Sequence, residues 1–98
     1  MEVIRHVVIR GLVQGVGFRA WTEYTALEHR LRGWVRNRRD GSVEALFVGS
    51  APAVAAMIAA CGDGPPGCRV DRIDQRDGSG ADLGLRRRDE LFSVLGTA

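Results

Sequence analysis

Apolar and polar positions along this 98-residue chain divide it into short segments of differing period. From Val3 to Val13 β-branched residues dominate (Val3, Ile4, Val7, Val8, Ile9, Val13), and apolar residues fall in both alternation classes. That pattern predicts a central strand covered on both faces. Gly15 and Gly17 break the run, and beyond them Trp21, Tyr24, Leu27 and Leu31 recur at helical spacing. A helix is therefore predicted over Ala20 to Leu31, with those four residues as its apolar stripe.

Gly33 resets the chain, and Trp34 to Arg38 reads as a short second strand. Asp40-Gly41 predicts a tight hairpin turn, because both residues tolerate positive φ, and Ser42 to Val48 is the third strand. Ser50 is a suitable N-cap, Pro52 falls in a first helical turn, and Val54, Met57, Ile58 and Cys61 have helical spacing. Helix two is predicted over Ala51 to Cys61, and the Gly- and Pro-rich stretch from Gly62 to Gly67 stops it. Val70 to Arg76 is a heavily charged edge strand, Asp77 to Ala81 a turn or loop, and Leu91 to Leu95 a short last strand.

Strand, helix, strand, strand, helix, strand is the order of an α+β, ferredoxin-like βαββαβ sandwich. Strand three inserts between strands one and two, which predicts an antiparallel sheet with two helices on one face and a short extra C-terminal strand. Ninety-eight residues at 45% apolar composition fit one domain over residues 1–98. This architecture hosts unrelated functions, so the fold alone selects none.

Composition narrows the field. No stretch approaches the roughly 18 to 20 apolar residues of a membrane helix, and Met1-Glu2-Val3-Ile4-Arg5 lacks the pattern of a signal peptide. A soluble, cytoplasmic protein without membrane attachment is expected. A net charge of +2 is too small to argue for a polyanion partner, although every one of the fourteen basic residues is arginine. Genomic base composition is the favoured explanation, but guanidinium groups do suit bidentate phosphate recognition. Cys61, Cys68, His6 and His29 show no metal-ligand spacing, so neither metal nor cofactor is expected; both cysteines are read as free thiols, with a disulfide between them left open only if the Gly-Pro loop folds back, which a cytosolic location disfavours.

Two segments carry candidate chemistry. Gln14-Gly15-Val16-Gly17-Phe18-Arg19 joins the first strand to the first helix. Glycines there let successive N-H groups converge, and the helix N-terminus adds a positive dipole end, which together suit an anion of phosphate size. A glycine turn also serves plain geometry, and the loop lacks the Gly-Lys-Ser/Thr ending of a nucleotide-binding P-loop. Arg19 sharpens the reading, since a cation in the first turn opposes the helix dipole unless an anion lies between. The second segment is Gly33-Trp34-Val35-Arg36-Asn37-Arg38-Arg39-Asp40-Gly41. Asparagine is a poor strand residue, so Asn37 either prepares the turn or supplies an amide that orients a water molecule. Trp34 is assigned to the core, and Arg36, Arg38 and Arg39 to a solvated strand face. The histidines and carboxylates suggest no acid-base pair.

Taken together, Gly11-Leu12-Val13-Gln14-Gly15-Val16-Gly17-Phe18-Arg19, Gly33-Trp34-Val35-Arg36-Asn37 and Asp40-Gly41-Ser42-Val43-Glu44 resemble, in order and spacing, both signature segments of the acylphosphatase family. The resemblance extends over most of residues 5 to 76. It implies a metal-free, monomeric enzyme that hydrolyses small-molecule acyl phosphates, with no nucleic-acid partner. By resemblance, the backbone of Gln14, Gly15, Val16, Gly17, Phe18 and Arg19 cradles the phosphoryl group, Arg19 binds its oxygens and Asn37 positions the attacking water. The family shows no obvious protein general base, and the substrate phosphate is proposed to help accept the proton. Three departures stand out: Arg30 where relatives commonly have glycine, Phe92-Ser93-Val94-Leu95 followed by Gly96-Thr97-Ala98 where they carry a Phe-x-Ile-Arg-Tyr-like strand, and Asp77 to Asp89 with Arg86-Arg87-Arg88.

Two rival readings use the same residues. One is an RNA-binding module on Arg36, Arg38, Arg39 and Arg86 to Arg88, weakened by the lack of exposed aromatic pairs for base stacking. The other is the acylphosphatase-like opening domain of hydrogenase-maturation carbamoyltransferases, which the length of this chain disfavours.

Overall fold

The computed structural model describes residues 1–98. Five strands and three helices follow in the order β1 (Glu2–Leu12), α1 (Phe18–Glu28), β2 (Arg32–Asn37), β3 (Val43–Ser50), α2 (Ala51–Asp63), β4 (Arg69–Asp77), α3 (Gly80–Leu83) and β5 (Phe92–Val94). The strand order across the sheet is β4-β1-β3-β2-β5, so β3 inserts between β1 and β2 as the ferredoxin-like reading requires. β4 lies at an edge, where its alternating charges meet solvent.

β1, β2, β3 and β4 pair antiparallel, but β5 runs parallel to β2. The sheet is therefore mixed, a correction to the antiparallel expectation. Its cause is directional: β4 runs opposite to β1 and β2, so a chain that crosses from its end to the far edge re-enters alongside β2 in the same sense.

Both sheet faces are covered, which is why β1 carries apolar residues in both alternation classes. On the helix face Val7, Ile9, Val35, Val43, Ala45 and Phe47 pack with Phe18, Ala26, Val54, Met57 and Cys61. Phe47 is fully buried, and burial of a side chain of that size contributes about 1.5–3 kcal/mol. On the opposite face Trp34, Leu46 and Val48 form a second cluster against Ile4, Leu83 and Leu95. Leu83, within the Asp77 to Asp89 stretch that the sequence leaves without a function, supplies part of this cover, and next to it the Trp34 indole N-H donates to the Asp82 carbonyl at 2.8 Å. α3, read from sequence as a loop, is held by a reciprocal capping box between Ser79 and Asp82.

The predicted stripe of α1 needs correction. Its buried residues are Phe18, Thr22, Thr25 and Ala26, whereas Tyr24 is 67% exposed and Leu27 44% exposed. Threonine fills core positions here because its hydroxyl is satisfied within the helix, as Thr22 Oγ1 donates to the Phe18 carbonyl at 2.8 Å. α1 also starts two residues earlier than predicted and ends at Glu28. Arg30 takes φ 59, the Arg30 N-H donates to Leu27 and the Leu31 N-H to Ala26. This is a Schellman closure with a non-glycine residue in the left-handed position, and it turns Leu31 into the core beside Ala26. α2 is capped as predicted, Ser50 Oγ accepting from the Ala53 N-H at 3.3 Å, and continues to Asp63.

Candidate active site

The cradle segment begins where β1 leaves the sheet. Gly15 and Gly17 adopt φ 74 and φ 78, and a Cβ on either would meet nothing within 4 Å. The requirement for glycine is thus conformational rather than spatial. Gly17 is also the N-cap of α1, with no side chain to cap and no acidic residue in the first turn. From Gln14 through Ala20 no backbone N-H donates to a protein acceptor, and helical bonding starts only at Trp21, which donates to Gly17 at 3.0 Å. A curled run of donors at a positive helix end is an anion-binding arrangement.

Arg19 lies on the first turn of α1, partly buried, and takes part in none of the ten ion pairs of the molecule. Its guanidinium is available to an anion held by the preceding loop.

Asn37 is the last residue of β2, and its backbone is fixed on both sides. It pairs with Val43 of β3, and its carbonyl accepts from the Ala98 N-H at 3.0 Å. The Arg39 N-H in turn donates to Ala98, and the Leu95 N-H to Val35, so the chain after β5 continues along β2. The Asn37 side-chain amide makes no hydrogen bond within the protein and borders the same cleft as Arg19. The connection to β3 is not a two-residue turn. Gly41, at φ 92, donates to Arg38, while the Arg38 N-H donates to Ser42, giving a three-residue loop that ends on a glycine bulge. Asp40 accepts from the Ser42 hydroxyl and N-H, which hold its carboxyl well down, at about 2.

Gln14 connects the two halves. Both of its amide hydrogens are used, on the carbonyls of Arg38 at 2.7 Å and Ser42 at 2.8 Å. The side chain therefore clamps the cradle loop to the hairpin that carries Asn37, across a separation of more than twenty residues.

These elements enclose a cleft of about 470 Å³ lined by Val13, Gln14, Gly15, Gly17, Phe18, Arg19, Ala20, Glu23, Asn37 and Val94. Of the residues singled out from sequence, only Val16 does not line it; that side chain packs against the core. Sequence reasoning missed Val13, Ala20, Glu23 and Val94. Glu23 was accessible to it, since a residue four after Arg19 on a helix shares its face.

Other sequence assignments resolve differently. Arg36 is not a solvated strand residue: its Nε donates to Glu44 at 2.6 Å and its guanidinium lies 5.0 Å from the Trp34 ring centre. The histidines and carboxylates do form one close pair, His6 Nε2 with Glu44 Oε2 at 2.6 Å, but neither residue lines the cleft. Burial acts to raise the Glu44 carboxyl, yet the hydrogen bonds from Arg36 and His6 and their charges leave it below the usual range. Because α3 and the chain around Leu95 cover Trp34 and Leu46, this sheet face offers no platform for stacking bases. Cys61 and Cys68 are free, and desolvation pushes the buried Cys61 thiol up to about 12. No group of three or more His, Cys, Asp or Glu is placed to hold a metal ion. No helix is long and apolar enough to cross a membrane.

Comparison with known proteins meets this geometry. Residues 5–82 match the family model described as Acylphosphatase. The chain is 57% identical over 96 residues to an acylphosphatase of Bradyrhizobium diazoefficiens, covering 98% of this chain and 97% of that one. It is 56% identical over 95 residues to one from Rhodopseudomonas palustris, covering 97% and 96%. Among solved structures it resembles the acylphosphatase of Bacillus subtilis, with TM-score 0.82, 32% identity and coverage of 97% and 99%. It also resembles that of Coxiella burnetii, with TM-score 0.83, 29% identity and coverage of 96% and 93%. Full-length HypF aligns as well, with TM-score 0.82 and 26% identity, but only over 12% of that chain.

Proposed function

The chain belongs to the acylphosphatase family, and from that membership we propose that its cleft hydrolyses acyl phosphates to a carboxylate and inorganic phosphate through Arg19, Asn37 and the Gln14–Arg19 backbone. The observation that carries this reading is the meeting in one cleft of an unpartnered run of N-H groups, an arginine free of carboxylates and an amide free of protein hydrogen bonds.

The chemistry asks little more of the protein. An acyl phosphate has a good leaving group, so catalysis consists of alignment and of stabilising charge on the phosphoryl oxygens. In this proposal the cradle and Arg19 hold the phosphoryl group while the Asn37 amide orients a water molecule behind it. The water oxygen attacks phosphorus, the bond from phosphorus to the acyl oxygen breaks, and its electron pair leaves on the carboxylate. The water's proton passes to a phosphoryl oxygen of the substrate itself. Rigidity is supported by Gln14, which ties the cradle to the hairpin, and by the Ala98 backbone, which braces Asn37. The substrate is a free small molecule, and the two free thiols suit the reducing cytoplasm, the compartment this reading assigns.

Hydrolysis of benzoyl phosphate in the presence of a metal chelator tests the activity. Turnover that survives the chelator and is inhibited competitively by inorganic phosphate is expected. Absence of turnover, or its loss with chelator, contradicts the proposal.

A further inference from the structure

Glu23 is the one carboxylate that lines the cleft, and with Arg19 it makes up the charged residues there. It stands four residues beyond Arg19 on α1, so the two side chains leave the same helix face one turn apart. They nevertheless form no ion pair within 4.0 Å, and Glu23 enters none of the ten bridges of the molecule. Neither is tied up in a contact ion pair with the other. Arg19 is free for the phosphoryl group, and the Glu23 carboxylate acts on whatever fills the rest of the cleft.

The rest is substantial. A phosphoryl group needs a volume on the order of 100 Å³, at about 30 Å³ per water-sized atom, against a cleft of about 470 Å³. Apart from Glu23, the side chains left for the acyl portion are chiefly Ala20 and Val94, since Val13 and Phe18 border the cleft with only 1% and 2% of their surface exposed. Apolar walls weaken dielectric screening, so a carboxylate among them acts on an approaching charge more strongly than it does in open solvent.

We propose that Glu23 is a specificity-determining residue that admits acyl phosphates with an apolar or cationic acyl group and disfavours those carrying a second carboxylate. The proposal rests on the acyl phosphate reading above. A carboxylate on the acyl portion meets the like charge of Glu23 within the cleft, whereas an ammonium group there gains an opposite charge.

The test compares kcat/KM for benzoyl phosphate, 4-carboxybenzoyl phosphate and 4-(aminomethyl)benzoyl phosphate in the wild type and in Glu23→Gln. Electronic effects of the substituents on the leaving group are common to both enzymes and cancel between them. In Glu23→Gln the ratio of carboxybenzoyl to benzoyl substrate is expected to rise about five- to tenfold, and the aminomethyl ratio to fall by a similar factor. The wild-type discrimination is expected to shrink when ionic strength is raised to about 0.5 M, an arm that needs no variant. Ratios unchanged within about twofold, or discrimination indifferent to salt, overturn the proposal. So does an equal loss on all three substrates, which marks Glu23 as a proton acceptor or a structural residue instead. Hydrolysis with unchanged ratios removes this proposal alone, whereas failure of the wild type to hydrolyse any of the three removes the reading beneath it.

Discussion

Arg30 and Gln14 show how single residues shape this molecule away from the reacting atoms. Arg30 closes α1 at φ 59, where a side chain costs about 1–2 kcal/mol relative to glycine. Part of any gain from glycine is returned as unfolded-chain entropy, so Arg30→Gly should stabilise the protein by about 0.5–1 kcal/mol, read from urea unfolding at neutral pH. Gln14 holds two hairpin carbonyls, and Gln14→Ala should cost about 1–2 kcal/mol of stability and lower turnover as well, because Asn37 loses its tie to the cradle. Equal turnover in that variant would show that the β2–β3 hairpin needs no such clamp. The proposed role of Asn37 entered mainly through the family resemblance, while a possible anion site at Arg19 and the two loop glycines was legible in the sequence itself, from a cation and glycines at a helix start. The grip of Gln14 was not, since it depends on a hairpin brought near only by the fold, and Val94 reaches the cleft from the far end of the chain.

Among the elements, β1, β2, β3, α2 and β4 follow from alternation, β-branching and capping, with boundaries displaced by at most two residues. The misread stripe of α1 has a physical cause, because Thr22 and Thr25 are buried where a count of apolar residues passes over them. α3 depends on a two-residue capping box too short to show a period, and the direction of β5 depends on which edge the chain crosses to. Leu83 of α3 packs on the cluster that holds Trp34, whose ring has His6 and the Arg36 guanidinium as neighbours. Glu44 joins Arg36 and His6 there, with its own side chain only 12% exposed and that of His6 9%. Glu44→Ala should therefore leave Arg36 and His6 without their partner and cost about 2–3 kcal/mol in urea unfolding, below the full penalty of a deeply buried pair because Arg36 keeps some solvent. A loss under about 0.5 kcal/mol would mean that the cluster is only a surface contact.

For the molecule as a whole, carboxyls held down by their hydrogen-bond partners shape the acid response: Asp40 and Glu44 on the β2–β3 hairpin, and Asp74, Asp82 and Glu90 elsewhere. Asp40 is lowered from 3.8 to about 2 by the hydroxyl and N-H of Ser42, and Glu44, which burial acts to raise, is nonetheless lowered from 4.5 by its hydrogen bonds from Arg36 and His6. A carboxyl lowered in the folded state stabilises the fold above its unfolded value and loses that contribution as pH falls toward the folded one. Stability should thus decline from about pH 5 down to about pH 2, and Asp40→Asn should flatten the lower part of that decline, as followed by urea midpoints across the range. An unchanged profile would place the acid response elsewhere.

The same hairpin presents Asn37 to the cleft, and the proposed hydrolysis rests on a division of labour between Asn37 and Arg19. The most direct measurement is steady-state hydrolysis of benzoyl phosphate, with the inhibition constant of inorganic phosphate, for Asn37→Ala and Arg19→Ala beside the wild type. Asn37→Ala is predicted to lower kcat by about 100-fold or more while phosphate inhibition stays within about threefold, and Arg19→Ala to weaken phosphate binding and rate together by at least about tenfold. Full turnover in Asn37→Ala, or phosphate affinity unaltered in Arg19→Ala, would contradict it.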